Sequence, residues 1–111
     1  MMRISRLFAV SMLMASAVML LAPQLAEAAT VTVTINDYAF SPATVVIHPG
    51  DTVTWRNKDS VPHTATALDG KSFDSGAVDP GASWSFVFHK VGKIAYRCAI
   101  HPSMLATVDV R

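Results

Sequence analysis

From Thr30 onward the chain alternates apolar and polar residues in short runs. The run "TVTVTI" (residues 30–35) does so cleanly, and "TVVI" (44–47) is a short strand candidate ended by the turn Pro49-Gly50-Asp51. "TVTWRN" (52–57) places Val53 and Trp55 on one face, and "SWSFVF" (83–88) places Trp84, Phe86 and Phe88 together. "KIAYRC" (93–98) aligns Ile94, Tyr96 and Cys98, and "LATVDVR" (105–111) aligns Ala106, Val108 and Val110. Period two puts one set of side chains inward and the next outward, so each run reads as a half-buried strand. Turn signals separate them: Asn36-Asp37, Asp69-Gly70, Asp74-Ser75-Gly76, Asp79-Pro80-Gly81 and Val91-Gly92. Short strands at this spacing predict an all-β sandwich or barrel. No amphipathic helix, repeat or low-complexity tract is visible after residue 29.

The first 28 residues follow a different pattern. Arg3 and Arg6 precede an apolar run from Leu7 to about Ala22, and "AEA" closes it at Ala26–Ala28. A basic start, an apolar middle and a small-residue end make a secretory signal peptide. The expected cut follows Ala28, leaving a domain over 29–111. The apolar run is barely long enough for a membrane span, which disfavours a retained anchor. No cysteine lies nearby to carry a lipid and no paired arginine marks folded export, so a Sec-type route is expected, with any metal bound afterwards.

This division changes the charge. The whole chain carries nine Lys and Arg against eight Asp and Glu, but the mature part keeps seven of each. A near-neutral domain shows no footprint for nucleic acid or an anionic membrane. Five of the six methionines leave with the leader, and the single cysteine stays. Export implies an oxidising compartment in which cysteines usually pair, and Cys98 has no partner to pair with.

That cysteine lies in "RCAIHPSM" (97–104), spaced Cys98-x2-His101-x2-Met104 at a strand-loop-strand corner. A fourth ligand would come from another loop: His48, His63 or His89. His63 follows Pro62 at a loop-to-strand junction, whereas His48 and His89 precede turns and read as solvated. Taken singly, His63 is a surface histidine and Cys98 an inert core thiol. Taken together, two imidazoles, one thiolate and one thioether suit a blue-copper electron-transfer site. Zinc takes Cys and His readily, but methionine is a poor zinc ligand. A dinuclear copper site would need a second cysteine.

On these residues the chain resembles the cupredoxins, most of all the small amicyanin- and plastocyanin-like type 1 copper proteins. "YAFSPATVVIHPGDTVTWRNKDSVPHTAT" resembles the family's N-terminal half, "FDSGAVDPGASWSFVF" its central hairpin and "YRCAIHPSM" its C-terminal ligand loop. The resemblance implies a Greek-key β-sandwich of two packed sheets, with about seven to eight strands. It implies one type 1 copper held by His63, Cys98, His101 and Met104. It also implies an electron port where the edge of His101 emerges among Pro62, Ala99 and Pro102. Thr64 stands where the family often has Asn. By that resemblance the position ties the two ligand loops, with its backbone N–H aimed at the cysteine sulfur; Thr64 keeps the N–H but loses the amide side chain, a departure that bears on redox potential more than on copper binding.

The function expected is a soluble, monomeric periplasmic electron carrier, not an enzyme, cycling Cu(II)/Cu(I). Its expected partners are transient redox proteins, by resemblance a dehydrogenase donor and a cytochrome acceptor. A copper-sequestering or copper-delivering protein would share the ligands. A zinc-filled or metal-free binding module, with Cys98 merely buried, is the third reading.

Overall fold

The computed structural model describes residues 16–17 and 27–111. Nearly all of the expected signal peptide, 1–28, lies outside the described residues. Eight strands follow in order: β1 (Thr30–Asn36), β2 (Ala39–Ser41), β3 (Thr44–Ile47), β4 (Thr52–Asn57), β5 (Thr66–Ala67), β6 (Ser83–Val87), β7 (Gly92–Arg97) and β8 (Leu105–Val110). They form two four-stranded sheets, ordered β2-β1-β4-β6 and β3-β8-β7-β5. Both sheets are mixed, because β1 runs parallel to β4 and β3 parallel to β8. Parallel neighbours need a crossover, so the chain passes between sheets and closes the sandwich.

The alternation sets which side chains fill the middle. Val33, Ile35, Val53, Trp55, Tyr96, Cys98, Val108 and Val110 are all buried. Trp55 anchors an aromatic cluster, with ring centroids 5.2 Å from Phe73, 5.5 Å from Trp84 and 5.5 Å from Tyr96. Burial pushes the Tyr96 phenol up to about 12, so this ring sits in the core neutral.

Three features depart from the sequence reading. Strands β2 and β5 are too short to show a period. The "FDSGAVDPGASWSFVF" segment is not a hairpin on itself: β6 pairs antiparallel with β4, and the stretch before it is joined to the β4–β5 region by the bridges His63↔Val78 and Thr66↔Asp74 and by further hydrogen bonds to Asn57, Ala65 and Ala67. Gly92 opens β7 and does not stand in a turn.

Two turns rest on left-handed residues, and the second of them touches the site. His48-Pro49-Gly50-Asp51 closes with the Asp51 N–H donating to the His48 carbonyl at 3.0 Å, and Gly50 has φ 94°. Pro followed by a positive-φ Gly is the requirement of a type II turn. The β1–β2 connection is a two-residue loop between paired Asn36 and Ala39, with φ 51° at Asp37 and 56° at Tyr38. Two left-handed residues make a type I′ turn, which ordinarily selects Asn-Gly. A residue with a bulky side chain there costs roughly 1–2 kcal/mol, so something else must hold Tyr38.

Candidate metal centre

The centre is built from two loops at one end of the sandwich. The first runs from the end of β4 to β5. Asn57, fully buried, organises it: its Nδ2 donates to the carbonyls of Val61 (2.8 Å) and Val78 (2.9 Å), and its Oδ1 accepts the Asp59 N–H (2.9 Å). His63 then pairs by backbone with Val78, at 3.2 and 2.7 Å. This fixes the His63 Cα and carries its ring inward, where it is 0% exposed.

The second loop joins β7 to β8. The Cys98 N–H donates to the Met104 carbonyl (3.2 Å) and the Met104 N–H to the His101 carbonyl (3.0 Å). The loop is therefore folded back on itself, and the spacing C-x2-H-x2-M puts three donor residues around one short turn. Cys98 and Met104 are buried in the common core, while His101 is half-buried.

The two loops meet at the sulfur. Cys98 Sγ lies 3.7 Å from His63 Nδ1 and 3.8 Å from His101 Nδ1. The donor atoms of these three residues all lie within 4.8 Å of one another. The imidazoles stand with centroids 5.0 Å apart and planes at 59°. His48 and His89 are exposed and take no part. Pro62, Ala99 and Pro102 are exposed, and the last two lie within two residues of His101 in the chain.

Thr64 joins the loops twice. Its N–H donates to Cys98 Sγ at 3.3 Å, and its Oγ1 accepts the Ala99 N–H at 2.8 Å. The side chain thus ties the loops although the amide is absent, because a hydroxyl is both acceptor and donor. Having accepted from Ala99, Thr64 Oγ1 can donate to Thr66 Oγ1 (2.8 Å), which donates to Asp74 Oδ1 (3.0 Å).

Two further residues went unnoticed in the sequence. Asp59 Oδ2 accepts from His63 Nε2 at 2.8 Å. Bonds from the Tyr38 N–H, the His63 ring and the Asp37 N–H hold the Asp59 carboxyl below the usual carboxylate range, against the opposing effect of burial. The Tyr38 ring stands edge-on to both imidazoles, with centroids 5.3 Å from His63 and 4.9 Å from His101. A carboxylate four residues before a histidine is the spacing of one helix face, and this segment reads as a loop, so nothing in it marked the pair. Tyr38 appears in the sequence only as the residue after a turn signal.

The donor set fits copper. It is thiol and imidazole with a buried thioether in the same loop, and the cluster found among the described residues includes no carboxylate oxygen. Soft sulfur with imidazole suits copper across both oxidation states. A two-sheet sandwich with such a cluster at one end defines a copper-binding β protein, and its cofactor is one type 1 copper ion.

The cupredoxin-like domain profile matches residues 8–110, and the chain belongs to that family. It is 32% identical over 81 residues to the methylamine utilization protein MauL of Methylophilus methylotrophus, covering 69% of this chain and 47% of that protein. It is 35% identical over 72 residues to chloroplastic plastocyanin of Tetradesmus obliquus, covering 56% and 50%. The chain thus spans about half the length of these curated relatives. Among solved structures, a purple cupredoxin from Nitrosopumilus maritimus is 30% identical with a TM-score of 0.66, covering 73% of this chain and 99% of that one. A Cu(I) form of an amicyanin mutant shares the fold with a TM-score of 0.69 at 23% identity, covering 74% and 82%. The copper-containing nitrite reductase of Thermus scotoductus SA-01 is similar over 74% of this chain but only 22% of that enzyme, at 28% identity and a TM-score of 0.69. The same fold therefore also occurs within a copper enzyme, and fold alone does not separate carrier from catalyst.

Proposed function

We propose that this protein is a soluble, monomeric type 1 blue-copper electron carrier of the periplasm, with His63, Cys98, His101 and Met104 holding the metal. One observation carries the reading: a fully buried thiol placed 3.7 and 3.8 Å from two imidazole Nδ1 atoms belonging to separate loops. When bound, the copper supplies a one-electron Cu(II)/Cu(I) couple. Cys98 provides the thiolate, and the Thr64 N–H stabilises charge on its sulfur. His63 and His101 would hold the metal through the Nδ1 atoms that face that sulfur, and Met104 would add its thioether. A site held by four protein side chains supports electron transfer over catalysis.

The half-buried His101, flanked in the chain by exposed Ala99 and Pro102 and joined by Pro62 of the neighbouring loop, is the proposed electron port. Small contacts of this kind suit brief encounters. The leader-like residues 1–28, cleaved after Ala28, support export. Among the described residues no helix is long and apolar enough to cross a membrane. The proposed partners are a dehydrogenase donor and a cytochrome acceptor, supported by similarity to a methylamine utilization protein and to amicyanin; nucleic acid is not among them.

The test is a visible spectrum of the chain from Ala29 to Arg111 with one equivalent of Cu(II). An intense blue band that bleaches with ascorbate and returns on oxidation is expected. A protein that stays colourless, or merely oxidises Cys98, refutes the proposal. A blue protein that surrenders copper readily to a chelator and exchanges electrons slowly would indicate copper delivery.

A further inference from the structure

Asp59 serves three donors with one carboxylate. Its Oδ1 accepts the Asp37 N–H at 2.7 Å, and its Oδ2 accepts both the Tyr38 N–H at 2.9 Å and the His63 ring at 2.8 Å. The first two donors are the left-handed residues of the β1–β2 turn. The third is one of the two imidazoles at the metal centre. Tyr38, half-exposed at 51%, lays its ring edge-on against that imidazole and against His101, each at an interplanar angle of 88°. A bulky residue persists in a left-handed conformation only where its surroundings over-determine it. Here the surroundings are Asp59 beneath its backbone and two histidines beneath its ring.

We propose that Asp59 is the positioning residue of the metal centre, clamping the strained Asp37-Tyr38 turn to His63 so that both imidazoles are set before metal arrives. The inference rests on the proposed ligand set and adds to it. Donation of the His63 Nε2 proton to Asp59 selects the tautomer whose Nδ1 lone pair is free, and Nδ1 is the atom facing Cys98. The carboxylate also fixes the ring plane and sets its negative charge directly behind the imidazole. That charge favours the more highly charged metal, so Asp59 biases the site toward Cu(II). Tyr38 carries the same restraint to His101, which no carboxylate touches among the described residues. The clamp thereby couples the two ligand loops through a third element, the β1–β2 hairpin.

The test compares wild type with Asp59→Asn and Tyr38→Gly at neutral pH. An amide offers one acceptor oxygen to three donors, so Asp59→Asn should weaken Cu(II) binding on the order of 10- to 100-fold, the usual effect of losing such a partner. Cu(I) affinity should change less. A tenfold selective loss corresponds to a rise in midpoint potential of about 59 mV. In metal-free protein, the His63 Nε2 proton, seen by nitrogen-correlated NMR, should be slow to exchange in wild type and fast in the variant. Tyr38→Gly suits the backbone angle, so folding is not threatened; it should leave the His63 proton in place and broaden the His101 ring signals. A blue Asp59→Asn protein with unchanged potential and unchanged His63 proton overturns the clamp while leaving the electron-carrier reading intact. A wild type that forms no blue centre defeats that reading, and the metal-free NMR comparison still decides the clamp.

Discussion

At the residue scale, the centre depends on side chains that need not touch metal. Thr64 shows how a different residue type meets the same need. Its hydroxyl accepts the Ala99 N–H and passes a donor onward to Thr66. Thr64→Val keeps the shape and the backbone N–H but removes that acceptor. We expect a loss of about 0.5–1.5 kcal/mol in chemical denaturation, the usual net worth of one intramolecular hydrogen bond, together with a shifted visible band. Thr64→Ser should restore both. Cys98, His101 and Met104 were legible in the sequence because their spacing is local. Asp59 and Tyr38 were not, because their roles exist only after β1, β2 and the β4–β5 loop have come together.

At the element scale, period two did most of the work. Strand β3 matches its sequence expectation at both ends, and the inward faces of β4, β7 and β8 are the ones that alternation indicated. Pairing was not visible, since nothing in a strand's own alternation says that β6 will lie beside β4. Turn chemistry is local and can be tested alone. Gly50 at φ 94° has nothing within 4 Å of an added Cβ, so only the backbone angle opposes a side chain there. Gly50→Ala should cost about 1 kcal/mol through that angle, leaving the blue band unmoved, because the turn lies away from the two ligand loops. Thermal and chemical denaturation with a parallel spectrum would check both halves of this expectation.

At the scale of the whole molecule, the N-terminal strand is anchored by a buried carboxylate. Asp51 accepts the His48 N–H at 2.9 Å and the Ala29 N–H at 2.8 Å, and these bonds hold its carboxyl below the usual carboxylate range. The sign follows from linkage: a depressed folded value means that the unfolded chain binds the proton more readily. The contribution is complete above the ordinary value of about 4 and is lost as pH falls through the lower, folded value. Asp51→Asn should therefore flatten the acid limb of stability, measured as denaturation midpoints across acidic pH, without altering the neutral spectrum. Cleavage after Ala28 would turn the Ala29 nitrogen into an ammonium facing the same carboxylate, joining maturation to the docking of β1.

By itself the sequence determined most of the strand-forming segments, their inward faces and the spacing of Cys98, His101 and Met104 around one corner. Each depends on neighbours within a few residues, and alternation, turn chemistry and short spacing are written at that range. The tertiary structure alone decided that His63 meets Cys98 across two loops, that Thr64 ties them by its hydroxyl, and that Asp59 and Tyr38 back the histidines. Apart from Asp59 with His63, those contacts join positions 21 to 63 residues apart, and only the packing of the two sheets brings such positions together.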